Sequence, residues 1–77
     1  MQTTHAPTTI TLSITETRRQ LASLVAQIQE HGLQVIVTRR GVPVWALLPF
    51  RPHERLGIVI GKRGKPMASL VAVRLVS

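Results

Sequence analysis

The spacing of hydrophobic residues predicts one amphipathic helix in the first half of the chain. Leu21, Leu24, Val25 and Ile28 recur at three- and four-residue intervals, which places them along one side of a helix. We expect this helix to run from about Glu16 to about Glu30. It is long enough to cover part of a small sheet.

Polar residues and a glycine mark the ends of the predicted helix. Gly32 adopts a left-handed conformation at low cost and so predicts the C-terminal stop. The N-cap is either Thr15, or Ser13 in a capping-box spacing with Glu16. The sequence leaves both start residues open.

Three short apolar or alternating runs in residues 9–50 predict β-strands. Thr9–Ile14 alternates in polarity, while Gln34–Thr38 and Val44–Leu48 are nearly continuous apolar runs. Arg40-Gly41 lies between the last two and predicts a tight hairpin turn. The long apolar runs predict that these two strands are covered on both faces.

The C-terminal part repeats this arrangement. Leu56–Ile60 predicts a strand, "GKRGK" a second basic turn, and Pro66–Ser77 a closing strand, with a short helix as the weaker alternative. A shift of 23 residues aligns four positions: Arg40 with Arg63, Gly41 with Gly64, Pro43 with Pro66, and Leu47 with Leu70. We favour a duplicated hairpin over chance similarity, because the turn residues repeat in register.

The length of the chain predicts one small domain with a shared core. A chain of 77 residues buries a modest fraction of its surface, so a homodimer or a higher homo-oligomer is expected. We divide it into a flexible leader (1–8), a first module (9–50) and a basic, strand-rich segment (51–77).

The absence of cysteine excludes disulfides and thiolate metal sites and fits a reducing cytoplasm. No apolar run reaches the length of a membrane span, so a soluble, cytoplasmic protein without a membrane partner is expected.

The charge balance points to a polyanionic partner. Ten Lys and Arg residues face three acids, which gives a net charge of +7 and a pI near 12.0. The candidates are DNA, RNA and an anionic membrane surface, and we favour nucleic acid over a solvated basic surface with no specific partner. The three histidines and three acids form no catalytic or metal-ligating pattern, so we expect no enzyme, no cofactor and no metal site.

The basic residues fall into three groups that could contact DNA. Two arginines at the first turn can pair with phosphates or guanine. Two more lie near the predicted helix start, where the helix dipole disfavours cations and a nearby anion would explain them. The candidate DNA-binding residues are Arg18, Arg19, Arg39, Arg40, Lys62, Arg63 and Lys65. Trp45, the one tryptophan, is expected in the core or at a dimer interface rather than stacked on a base.

Motifs in residues 13–49 resemble those of a known family. Ile14-Thr15-Glu16 with Arg18, and then Thr38-Arg39-Arg40-Gly41 followed by Pro43-Val44, are similar to the N-terminal module of the Phd/YefM antitoxins of type II toxin–antitoxin systems. The similarity spans Ser13 to Pro49, about half of the chain.

The resemblance implies an α/β (α+β) dimer. Each chain contributes a strand, a helix and a β-hairpin, and one sheet is shared across the dimer. It implies a transcriptional repressor that binds double-stranded operator DNA as a dimer, with a cognate toxin as a further partner. The family's DNA-contacting residues correspond to Arg18, Arg19, Arg39 and Arg40, and more weakly to Thr15 and Thr38.

The chain departs from the family after Phe50, where the family places an acidic toxin-binding tail. Residues 51–77 hold six of the cations and one acid. An orphan repressor, an antitoxin for a toxin with an acidic groove, and a rearranged gene product all stay open. The alternative function is a protein-interaction module whose C-terminal hairpin docks a toxin or another subunit by strand addition. A swapped-hairpin dimer similar to AbrB-like antitoxins is the alternative fold.

Overall fold

Two helices pack on a five-stranded mixed sheet in an α+β fold. The computed structural model describes residues 8–53 and 57–73. The strands are β1 (Thr9–Ser13), β2 (Gln34–Arg39), β3 (Val42–Pro49), β4 (Ile58–Lys62) and β5 (Lys65–Ala72); the helices are α1 (Ile14–Arg19) and α2 (Leu21–His31). The predicted leader lies outside the described residues except for Thr8, and so do Leu56 and residues 74–77.

The sheet has the order β1-β2-β3-β5-β4. β1 runs parallel to β2, and the helices make the crossover between them. All other neighbouring strands are antiparallel. β5 therefore lies in the middle of the sheet beside β3, and β1 and β4 form its two edges.

The prediction of one continuous helix is wrong. The helical segment breaks at Gln20, whose backbone (φ −104°, ψ 12°) leaves the helical region. The amide of Gln20 donates to the carbonyl of Glu16, and the carbonyl of Gln20 accepts from Leu24 at 2.8 Å, so both helix ends are satisfied there. On either side of the break, α1 packs against β1 and β2, and α2 packs against β3 and β5.

The caps of the helices follow from side-chain and glycine chemistry. Ser13, rather than Thr15, is the N-cap, because its hydroxyl accepts from the amide of Glu16 at 3.1 Å. The Thr17 hydroxyl donates to the Ser13 carbonyl and is buried there. Gly32, at φ 69°, ends α2 as the sequence predicts, and its amide donates to the carbonyl of Ile28.

The core forms between the apolar side of α2 and one face of the sheet. Every second residue of a strand points to this face. The register places Val35, Leu47 and Leu70 side by side on β2, β3 and β5. The fully enclosed cluster draws on both hairpins: Leu24, Ile28, Leu33, Val35, Val37, Leu47 and Ala68. Since Ala68 lies in β5, residues 9–50 and 51–73 contribute to one core.

The opposite face of the sheet departs from expectation. Ile36, Leu48 and Val71 are half-buried and lie on this face. No element within residues 8–53 and 57–73 packs over them, so the prediction that β2 and β3 are covered on both faces is wrong for this part of the chain. Small buried residues, Ala46 and Ser69, occupy its centre.

We predict that Ile28→Ala lowers the free energy of unfolding by about 2–5 kcal/mol. Ile28 is 0% exposed, and the substitution would leave a cavity within a cluster that includes residues of the sheet. Urea denaturation followed by circular dichroism measures this change. Gln29→Ala, on the exposed side of the same helix, is the control and should shift stability by less than about 0.5 kcal/mol. Equal effects of the two substitutions would contradict the assigned helix face.

Candidate nucleic-acid interface

The first candidate element is the turn between β2 and β3. Arg40 and Gly41 have φ values of 53° and 79°, and positive φ at both central residues is what a type I′ hairpin turn requires. Arg39 and Arg40 are exposed at its tip. Arginine is an uncommon choice for a left-handed position, where a side chain costs about 1–2 kcal/mol.

The turn between β4 and β5 has the same conformation. Arg63 and Gly64 also have φ values of 53° and 79°. Lys62, Arg63 and Lys65 surround this turn and are exposed. The sequence motif Arg-Gly-x-Pro therefore produces the same turn twice.

Both hairpins contain a bulge at the same place. The register shifts between Val37 and Thr38 in the first hairpin and between Ile60 and Gly61 in the second. Each shift leaves the residue after the proline, Val44 or Met67, without a register partner on the other strand of its own hairpin. Proline has no N–H to donate to the ladder, which makes an irregular rung the tolerated place for it.

The two turns lie at opposite ends of the sheet. Each turn directly precedes a strand, β3 or β5, and these two strands are antiparallel neighbours. The structure therefore does not bring Lys62, Arg63 and Lys65 together with Arg39 and Arg40. The sequence could not show this, because it depends on which strands pair.

Arg18 and Arg19 lie at the end of α1, on the helix-covered side of the sheet. The interpretation of these residues as cations opposed by a helix dipole is wrong, because they occupy the last turn of α1, where the dipole favours cations. Arg19 also pairs with Glu16 at 3.2 Å on the surface. A nearby phosphate is not needed to explain their positions.

Arg18 lies at an apolar groove between the helices and the sheet. The groove is lined by aliphatic residues from both hairpins and by the tryptophan: Ile14, Leu21, Val37, Trp45, Leu47, Ile60 and Leu70, together with Thr17 and Arg18. Trp45 is half-buried and packs against the core, in line with a packing role. Arg18 thus lines the same groove as Val37 and Trp45, which pair across β2 and β3.

The two weaker candidates differ in their surroundings. The Thr38 hydroxyl donates to the Leu12 carbonyl at 3.5 Å, so it helps to join β1 and β2. Thr15 is exposed near the start of α1.

The electrostatics of both turns are those of open cationic surfaces. No carboxylate in residues 8–53 or 57–73 pairs with the cations at either turn; the ion pairs found there are Arg19–Glu16 and His31–Glu30. Exposed, unpaired guanidinium and ammonium groups can bind phosphate without first breaking an internal ion pair. The same ranges contain no cluster of three His, Cys, Asp or Glu residues that could hold a metal ion.

Neither helix in the described part of the chain is long and apolar enough to cross a membrane. In comparisons with known proteins, no protein-family model, curated protein or solved structure matches the chain.

We predict that Arg40→Asn stabilises the protein by about 0.5–1 kcal/mol, because Asn-Gly fits a type I′ turn better than Arg-Gly. Thermal and urea denaturation measure the gain. Arg39→Gln, one residue outside the left-handed position, is the matched control and should leave stability nearly unchanged. A loss of stability in Arg40→Asn would show that the Arg40 side chain supports the fold.

Proposed function

We propose that the protein is a sequence-specific DNA-binding transcriptional repressor of the Phd/YefM antitoxin type. The observation that carries this proposal is the type I′ turn, where Arg39 and Arg40 are exposed at the hairpin tip and free of carboxylate partners in the described part of the chain. The net charge of +7 supports a polyanionic partner. The similarity of residues 13–49 to the antitoxin module supports DNA as that partner.

The hairpin supplies a physical route to recognition. A two-stranded ribbon fits the major groove of B-DNA, and arginine can pair in bidentate fashion with guanine or with a phosphate. The type I′ turn holds both arginines at the end of paired strands, so less conformational entropy is lost on binding than from a free loop. Phosphate contacts would make the affinity strongly dependent on salt.

Dimerisation and neutralisation of a toxin are further parts of this proposal. The short chain length and the resemblance favour a homodimer on the operator, and a single chain per operator is the competing arrangement. Sedimentation of the full chain with and without operator DNA measures the number of chains.

We predict that the protein binds the DNA upstream of its own gene more tightly than a shuffled duplex at about 150 mM salt, where non-specific binding is weak. Arg39→Gln with Arg40→Asn should weaken this binding about tenfold or more, because two charge-assisted contacts are lost, and should lower the salt slope by about two. Fluorescence anisotropy titrations over a range of salt concentrations measure both effects.

A matched control separates contact from net charge. Gln27→Glu with Gln29→Glu also lowers the net charge by two, at exposed positions of α2. This control should retain most of the affinity. Equal losses in the two variants, or no preference of the unmodified protein for its upstream region, would contradict the proposal.

A second candidate function is supported by the exposed edge strand. Ile58 and Val59 in β4 are 60% and 45% exposed, and β4 has an unpaired edge within the described sheet. Such an edge can accept a strand from a partner, here a toxin or another subunit.

Val59→Lys tests this second candidate, because a charged edge residue blocks strand addition and leaves the buried face unchanged. We expect loss of a co-purifying or co-encoded partner in size-exclusion chromatography, with DNA binding retained. Thr11→Lys on β1, the opposite edge strand, is the control. Retention of the partner by Val59→Lys would exclude this edge as its docking site.

A further inference from the structure

The two hairpins pair with each other in a symmetric register. Leu47 and Leu70, which correspond to each other in the 23-residue repeat, lie directly opposite in the β3–β5 pair. On either side the counterparts exchange places: Trp45 pairs with Ala72, and Pro49 pairs with Ala68. This is the register of an isologous interface, in which residue i meets j and the counterpart of j meets the counterpart of i.

The hydrogen bonds at the ends of this pair show the same exchange. The amide of Phe50 donates to the carbonyl of Met67 at 3.4 Å, and the amide of Val73 donates to the carbonyl of Val44 at 3.0 Å. Phe50 corresponds to Val73, and Val44 to Met67, under the same shift. A local twofold axis therefore passes through the sheet between Leu47 and Leu70.

The axis relates the two basic turns. Five residue steps separate Val42 from Leu47, and five separate Lys65 from Leu70. At roughly 3.3 Å per residue, the turns lie about 33 Å apart along the strands. The longest extent of the described residues, 40 Å, accommodates this spacing. One turn of B-DNA, which separates the half-sites of many twofold-symmetric operators, is about 34–36 Å.

We infer that the second hairpin occupies the position that the hairpin of a second subunit would take in a symmetric dimer. One chain therefore contacts two stretches of a DNA duplex about one helical turn apart. This inference rests on the proposed DNA-binding function and differs from it in the number of chains needed. The contacting groups are Arg39 and Arg40 at one end and Lys62, Arg63 and Lys65 at the other. The partner is double-stranded DNA with an approximate twofold arrangement of contacts.

The presence of cations at the second turn, as at the first, supports this assignment. Several strand residues differ between the repeats, for example Trp45 and Ala68, but Lys62 and Arg63 match the two cations of the first turn and Lys65 adds a third. A hairpin that served only to complete the sheet would need the glycine and the proline of the turn, and not its charges. Arg18 and Arg19 have no counterpart in the second repeat, which makes the two halves unequal.

Ethylation interference on the full chain tests the inference, with a duplex of about three helical turns from the region upstream of its gene as probe. We expect two clusters of phosphates separated by about one helical turn, and one chain per duplex in native mass spectrometry. Lys62→Gln with Lys65→Gln should erase one cluster, and Arg39→Gln with Arg40→Asn should erase the other. Each variant should lose about tenfold or more in affinity.

The control Gln27→Glu with Gln29→Glu should keep both clusters. Selective binding with a single cluster, with two chains per duplex, or with clusters unchanged in the Lys62→Gln and Lys65→Gln variant would overturn the inference and leave the proposed function standing. Absence of selective binding by the unmodified protein would overturn both.

Discussion

The pairing of β3 with β5 holds the rest of the structure together. A two-stranded hairpin is at best marginally stable alone, and β4–β5 reaches the core only because β5 adds to β3. Through this pairing Ala68 enters the cluster beneath α2, next to Leu47 and Ile28. A chain of this length has few residues with which to build a core, and the added strands widen the surface on which α2 packs.

Local features of the fold could be predicted from the sequence because they depend on neighbouring residues. The helical stripe around Leu24 and Ile28, the stop at Gly32 and the turn at Arg40-Gly41 all follow from spacing or from glycine chemistry. The break at Gln20 could not be predicted in this way. Gln20 is a good helix former, so helix propensity gives no signal for the break, and the two helices that it separates contact different strands.

The candidate interface was predictable residue by residue but not in its arrangement. The exposed cations at both turns follow from the motif of basic residues beside glycine. Their separation to opposite ends of the sheet follows from strand order, which is a non-local property. The placement of Arg18 and Arg19 at the end of α1 follows from the break at Gln20, so their interaction with the helix dipole has the opposite sign to that expected for one long helix.

The two hairpins lie one after the other in a single chain, and this has an evolutionary consequence. In a symmetric homodimer one mutation changes both copies of a contact, so the two recognition surfaces are bound to stay identical. Two hairpins encoded separately in one gene can diverge in sequence, and these two differ: Val42 corresponds to Lys65, and Thr38 to Gly61. At Gly61 a Cβ atom would lie 2.8 Å from the Lys65 carbonyl oxygen, so the second hairpin favours glycine at the position where the first has threonine. Such a chain is free to evolve toward targets whose two halves differ in sequence.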